Sequence, residues 1–278
     1  WKALTLTERY EQEHSLETEI FSNGLLLTPE KIKQVLESSL TDIVISVDAA
    51  TEKTYKRIRG GDFKKLIENI NNLVNENKKC HDKLRIAMGF VIMRENIEEL
   101  PSFVHLAASL GVETITFWPL FSTGIDMPKK EREGFTFYYK QQMLIYYPHL
   151  TMAKVNEAKE IAEKLNVRIG VSPHFATEYS GFKHADIPYP IVPELFDKYV
   201  LENQAVAGYE NVDFAGQDSE TYKGCYLPWS TAYITTEGKF SPCAVLLLQG
   251  GIGSVSENKF EEVWNGETMQ SLRQHIID

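Results

Sequence analysis

Residues 19–61 read EIFSNGLLLTPEKIKQVLESSLTDIVISVDAATEKTYKRIRGG, and their pattern decides the fold class. Glu19 to Ser22 forms a short strand by pattern and runs into the turn residues Asn23-Gly24. Thr28 is placed to cap a helix whose first position is Pro29, with Lys31 where a capping box would want Glu. Ile32, Val35 and Leu36 follow at helical spacing. Asp42 to Asp48 is an apolar strand that delivers Ser46 and Asp48 near its C-terminal end, ahead of the Arg/Gly-rich stretch Tyr55 to Gly61. Polar residues where strands stop, with helices returning the chain, mark the functional face of a parallel α/β fold.

Working outward, the cadence repeats. Asp62 is expected to cap a helix with an apolar stripe of Phe63, Leu66, Ile67, Ile70, Leu73 and Val74. Leu84 to Met93 reads as a buried strand, and Asn96 as the cap of a helix that Gly111 terminates. Val112 to Trp118 is a strand ending at Pro119-Leu120. These alternations predict right-handed parallel crossovers. Further on, Ser122 to Pro128 reads as loop, the aromatic-rich Phe135 to Tyr147 as helix, Val155 to Leu165 as an amphipathic helix and Val167 to Val171 as a strand.

Then the cadence stops. Ser172 to Gly224 reads as an irregular linker with a short helix around Pro193 to Leu201. Beyond it, Pro228 to Thr235 and Phe240 to Val245 read as two strands joined by the tight turn Thr236 to Lys239. Phe260 to Ile277 closes as a helix. Before it all, residues 1–18, with spaced Leu4, Leu6 and Leu16, fit a helix on the exterior.

Composition narrows the function. In 278 residues, 24% charged and 43% hydrophobic side chains are those of an ordinary globular chain, and a net charge of −10 disfavours nucleic acid or an anionic membrane as the main partner. The longest apolar run, Ala244 to Leu248, is far too short to span a bilayer. Three cysteines suit a reducing compartment, so a cytoplasmic location is expected. The seven histidines show no ligand spacing, and no nucleophile–base pair or carboxylate pair stands out, which disfavours a zinc enzyme or an ordinary barrel hydrolase.

Three quoted pieces carry a resemblance: Phe21-Ser22-Asn23-Gly24 with Leu27-Thr28, Ser46-Val47-Asp48-Ala49-Ala50-Thr51-Glu52, and Tyr55-Lys56-Arg57-Ile58-Arg59-Gly60-Gly61. Together they resemble the middle of a radical S-adenosylmethionine (radical SAM) enzyme. A second resemblance lies at the other end. Cys225, Gly238 and Cys243, with Pro228-Trp229, Pro242-Cys243 and Phe260-Glu261-Glu262-Val263-Trp264-Asn265, are similar to the opening of the SPASM/Twitch auxiliary-cluster domain. The resemblance implies a partial (β/α)6 barrel over residues 1–171, lacking its first strand–helix units. It also implies a linker over 172–224 and an incomplete SPASM/Twitch-like hairpin-and-helix domain over 225–278.

The resemblance further implies S-adenosylmethionine and [4Fe–4S] clusters as cofactors, and 5′-deoxyadenosyl radical chemistry on a peptide, protein or small-molecule substrate. A flavodoxin or ferredoxin is the implied electron donor. By the same token Asn23, Ser46, Asp48, Arg59 and Leu120 are the expected cofactor contacts, and Cys225 and Cys243 the expected cluster ligands. An arginine suits the methionyl carboxylate, which it can grip with two hydrogen bonds, and thiolates are the soft ligands that iron–sulfur clusters require. Arg57 is expected in solvent. The family's loop of three cysteines spaced three and two residues apart does not occur in these residues. They are therefore expected not to cleave the cofactor by themselves, and a non-catalytic peptide-binding barrel is the alternative reading.

Overall fold

Five parallel strands with helices between them make up most of the N-terminal part of the chain. The computed structural model describes residues 17–120, 130–132, 134–171, 186–202, 227–243, 246–247 and 250–277. Cys225, most of the exterior helix expected over 1–18 and most of the expected linker lie outside these residues. In order the elements are β1 (Glu19–Ser22), α1 (Pro29–Glu37), β2 (Asp42–Ser46), α2 (Glu52–Ile58), α3 (Phe63–Lys79), β3 (Arg85–Ile92), α4 (Leu100–Ser109) and β4 (Thr114–Pro119). They continue with β5 (Lys130–Arg132), β6 (Phe135–Phe137), α5 (Tyr139–Gln142), α6 (Pro148–Leu165) and β7 (Arg168–Val171). The main sheet has the order β1-β2-β3-β4-β7, every neighbouring pair parallel.

Local chemistry starts these helices where the sequence suggests. Thr28 accepts a bond from the Lys31 N–H at 3.4 Å and Asp62 one from the Lys65 N–H at 3.0 Å. Strand alternation then sorts side chains between two faces. Ile43, Ile45, Met88, Phe90, Ile115 and Phe117 are fully buried against Leu66, Ile70, Leu73, Phe103 and Val104 of the covering helices. Phe90 sits at 4.6 Å from Phe103 and 6.0 Å from Phe117, both edge-on. The opposite face carries Asp42, Val44 and Ser46 on β2, Ala87 and Gly89 on β3, and Thr114 and Thr116 on β4. Phe21 and Trp118 lie on this face as well, and both are exposed.

Phe135 to Tyr147 departs from the expected helix. It is a strand, then one helical turn, then a 3-10 turn over Leu144–Tyr146. Met143 to Tyr147 are buried at every consecutive position, so no single helix face could accommodate them. Met143, Ile145, Tyr146 and Tyr147 form a second cluster with Ile187 and with Phe196 of α7 (Pro193–Glu202), where Tyr146 and Phe196 meet edge-on at 5.0 Å, while Leu144 packs into the main core.

Contacts divide the chain into two units, residues 1–209 and 210–278. The second contains α8 (Leu227–Ser230), β8 (Tyr233–Ile234), β9 (Lys239–Ser241), β10 (Gly253–Ser254), α9 (Phe260–Trp264) and α10 (Glu267–Ile277). Its sheet is antiparallel in the order β10-β9-β8. The expected strand over Pro228 to Thr235 shortens to two residues, because Leu227 to Ser230 is a helical turn. The expected terminal helix breaks at Asn265-Gly266. Phe240, fully buried, packs edge-on against Phe260 and Trp264 at 6.0 and 6.1 Å.

Candidate functional site

One row crosses the Ser46 face of the sheet, from the C-terminal end of β2 through the middle of β3 and β4 to β7. Ser46 pairs with Gly89, Gly89 with Thr116, and Thr116 with Gly170. No side chain in the row is larger than threonine. A Cβ added at Gly89 would stand 3.1 Å from the Val44 Cγ1, so the floor there is already closed. The Thr116 hydroxyl is buried with no partner among the described residues. A shallow floor with an unused hydroxyl fits a thin group that carries hydrogen-bonding atoms at its edge.

Asp48 and Arg59 stand at the end of β2. Asp48 has φ +60°, a left-handed conformation that asparagine and aspartate tolerate better than most residues. That backbone turns its carboxylate inward: Oδ1 accepts the Val91 N–H at 2.7 Å and Oδ2 accepts the Arg59 Nε–H at 2.6 Å, with Nη2 also at 2.5 Å. Burial raises the Asp48 pKa, while the Arg59 charge and the Val91 N–H act in the opposite direction. Among the described residues Arg59 Nη1 has no partner, so the guanidinium can take a second carboxylate without releasing the first. Asp48 thus orients Arg59.

Asn23 lies in the turn after β1, where its Oδ1 accepts the Leu25 N–H at 3.1 Å. Asn69 of α3 fastens this turn by donating to the Gly24 carbonyl at 2.8 Å. Leu120 follows β4, its N–H on the Ile92 carbonyl at 3.0 Å. Asn23, Ser46, Asp48 and Leu120 therefore all sit at strand C-termini, and Arg59 is drawn there by Asp48. A cavity of about 410 Å³ lies on the same sheet face and extends towards the N-terminal strand ends, lined by Glu19, Asp42, Arg85, Thr114, Thr116 and Gly170 among others. There Arg85 grips both oxygens of Asp42 at 2.5 Å. Burial works against the Asp42 carboxylate, but the Arg85 and Thr41 bonds outweigh it and hold its pKa below the usual value. Thr116 and Gly170 of the row described above line this cavity too, so the row and the cavity share one face of the sheet.

Several residues of the site were not evident from the sequence. Asn96, expected as a helix cap, makes no capping bond and is fully buried instead. Its Nδ2 donates to the carbonyls of Asp48 and Val91, both at 2.9 Å, and its Oδ1 accepts the Met93 N–H at 2.8 Å. Glu99 accepts the Ala50 and Thr51 N–H groups at 2.6 and 3.2 Å and the Thr51 and Thr54 hydroxyls at 2.7 and 2.6 Å. Arg57 is not simply solvated, because its Nη1 meets Glu95 Oε1 at 2.6 Å. Only Asn96, Glu98 and Glu99, polar residues just past a strand, hint at any of this.

For a cluster the fit is weaker. Cys243 is free and half-buried, in a turn where Ser241 Oγ accepts its N–H at 3.3 Å. Among the described residues no three His, Cys, Asp or Glu side chains group as metal ligands. No helix among them is long and apolar enough to cross a membrane.

The family model of the Radical SAM superfamily matches residues 2–107, and that of SPASM, an iron–sulfur cluster-binding domain, matches residues 225–278. An AdoMet-dependent heme synthase from Methanosarcina barkeri is 23% identical over 95% of this chain and 65% of its own. Mycofactocin maturase MftC from Mycolicibacterium smegmatis is 29% identical over 37% of this chain and 25% of its own. Streptococcus suis SuiB bound to the precursor peptide SuiA superposes with a TM-score of 0.56 at 16% identity, over 93% of this chain and 50% of that one. Native anSMEcpe with bound AdoMet gives 0.54 at 11% identity, over 98% and 63%. The chain spans less than two thirds of each of these proteins.

Proposed function

Because the chain belongs to the radical SAM superfamily and carries a SPASM-type iron–sulfur domain at its C-terminal end, we propose that residues 17–120 hold S-adenosylmethionine in an enzyme that modifies a peptide or small molecule. The observation that carries this reading is the Ser46-Gly89-Thr116-Gly170 row with the Asp48–Arg59 pair at its end. Arg59 Nη1 takes the methionyl carboxylate while Asp48 holds the guanidinium in place. Ser46, Asn23 and the unused Thr116 hydroxyl meet the polar edges of the cofactor. Leu120 covers an apolar face. When bound, the cofactor and a reduced cluster supply one-electron carbon–sulfur cleavage and hydrogen abstraction from a substrate. The chain's share is to bind, orient and exclude water.

Cys225 and Cys243 are the proposed thiolates for an auxiliary cluster in the 225–278 domain, with residues 172–224 linking it to the barrel part. The electron donor is proposed to be a flavodoxin or ferredoxin. The 278 residues contain no three-cysteine loop, so cofactor cleavage requires cysteines from outside them. The test is anaerobic reconstitution with iron, sulfide and dithionite, applied to these residues and to the longest protein their gene encodes. Four or more irons and 5′-deoxyadenosine in the long form alone are expected. 5′-Deoxyadenosine from the 278 residues would refute the requirement for outside cysteines, and iron in neither form would refute the enzyme reading.

A further inference from the structure

Helix α2 ends between two acidic partners. Arg57 and Arg59 are two residues apart, about 200° around a helix, so their side chains leave on opposite sides. Arg59 goes to Asp48. Arg57 goes to Glu95 Oε1 at 2.6 Å, with the Phe135 ring 5.2 Å from its guanidinium carbon. Between them the Ile58 carbonyl accepts Arg132 Nη1–H at 2.7 Å. The end of α2 is thus fixed on three sides within three residues.

Glu95 in turn belongs to a closed circuit. Its backbone N–H donates to Gln142 Oε1 at 2.8 Å, Gln142 Nε2 donates to the Tyr189 hydroxyl at 3.0 Å, and that hydroxyl donates to Glu95 Oε2 at 3.0 Å. The Glu95 side chain is only 9% exposed, and Gln142 is fully buried. Arg94 lies over the Tyr189 ring at 4.7 Å and the Tyr147 ring at 5.5 Å. The segment bearing Tyr189 is itself tied down, because Asp186 accepts the first free N–H groups of α6, from His149 and Leu150, both at 2.9 Å. Burial pushes the Tyr189 phenol up to about 12, so it remains a donor across the neutral range.

We propose that Glu95 is a positioning residue for Arg59, and that Tyr189 is the far support which fixes Glu95. Through this circuit the segment around Tyr189, more than 100 residues further along the chain, sets the direction in which Arg59 presents its guanidinium. The inference rests on the reading of Arg59 as the carboxylate grip. It predicts an effect confined to ligands that carry a carboxylate.

The test compares two probes on the full-length protein by isothermal titration calorimetry. S-adenosylhomocysteine carries the amino-acid end with its carboxylate, and 5′-methylthioadenosine lacks that whole end, so Arg59→Lys serves to assign the difference to the carboxylate. Tyr189→Phe, nearly isosteric, removes one donor and is expected to raise the Kd for S-adenosylhomocysteine about threefold to tenfold. Glu95→Gln is expected to raise it about tenfold or more, because the hydrogen bond it weakens is to a charged group. Neither should change the Kd for 5′-methylthioadenosine. Equal loss for both probes, or none for either, would overturn the proposal, since a merely structural role has no reason to sense the carboxylate. Arg59→Lys separates the two levels. Selective loss in Arg59→Lys but not in the other variants overturns only the positioning role, whereas no selective loss in Arg59→Lys removes the carboxylate grip and the inference with it.

Discussion

Replacing Asn96 by aspartate changes almost no volume, yet it reverses the one atom on which two loops depend. Nδ2 donates to the Asp48 and Val91 carbonyls at 2.9 Å each, and an aspartate oxygen in its place would face two other oxygens. Two lost hydrogen bonds cost about 2 kcal/mol. The site is fully buried, so the new carboxylate has a raised pKa. A shift of about 2 units adds about 3 kcal/mol at pH 7, which vanishes near pH 4, where the carboxyl is protonated in the fold. The variant therefore loses stability as pH rises from about 4 through its raised folded pKa. Asn96→Ala loses three bonds, about 3 kcal/mol, with no such pH dependence. The aspartate variant is expected to be the more stable of the two at pH 4 and the less stable at pH 7. Urea unfolding at both values checks this, with m compared to confirm that the same transition is followed. If the order of the two variants is the same at both pH values, Asn96 is not the donor strut described here.

Two further perturbations test the packing and the buried phenols. Gly24→Ala combines φ +71° with a new Cβ at 2.5 Å from Leu66 Cδ1 and 2.9 Å from Ile45 Cγ2, for a cost of about 2–4 kcal/mol. Gly134→Ala, at φ +69° with nothing within 4 Å, should cost only about 1–2 kcal/mol, and thermal melts of the two variants decide it. Burial raises the pKa of Tyr55, Tyr139, Tyr147 and Tyr189, the last to about 12. The unfolded chain ionises these phenols first, so stability is intact below about pH 10 and falls as pH rises towards 12. Absorbance at 295 nm should show this subset titrating late, and a single titration of every tyrosine near 10 in the folded protein would contradict it.

The parallel strands and the longer helices were legible because each carries its own period and punctuation. The stripe of α3 and the caps Thr28 and Asp62 are local signals, and local signals survive folding. Phe135 to Tyr147 was misread because the run Gln141 to Tyr147 is buried at every position and so carries no period. Asn96 before Ile97 has the look of a cap, and only the loop of Asp48, 48 residues earlier, explains why its side chain turns inward. Arg57 looked solvated because its partner Glu95 lies 38 residues away. Among the candidate site residues, Ser46 and Arg59 were named from the resemblance. The acidic residues that hold the end of α2 were not, since each pairing joins segments that only the sheet brings together.

Helix α2 has seven residues, fewer than an isolated helix needs to persist in water. Its first turn rests on Glu99, which accepts four bonds there, and its last turn rests on Glu95, four residues earlier in the same connection after β3. One short loop therefore acts as the mould for the helix that carries Arg57 and Arg59. Whatever loosens that loop also loosens the helix, and Arg59 is then held in place by Asp48 alone.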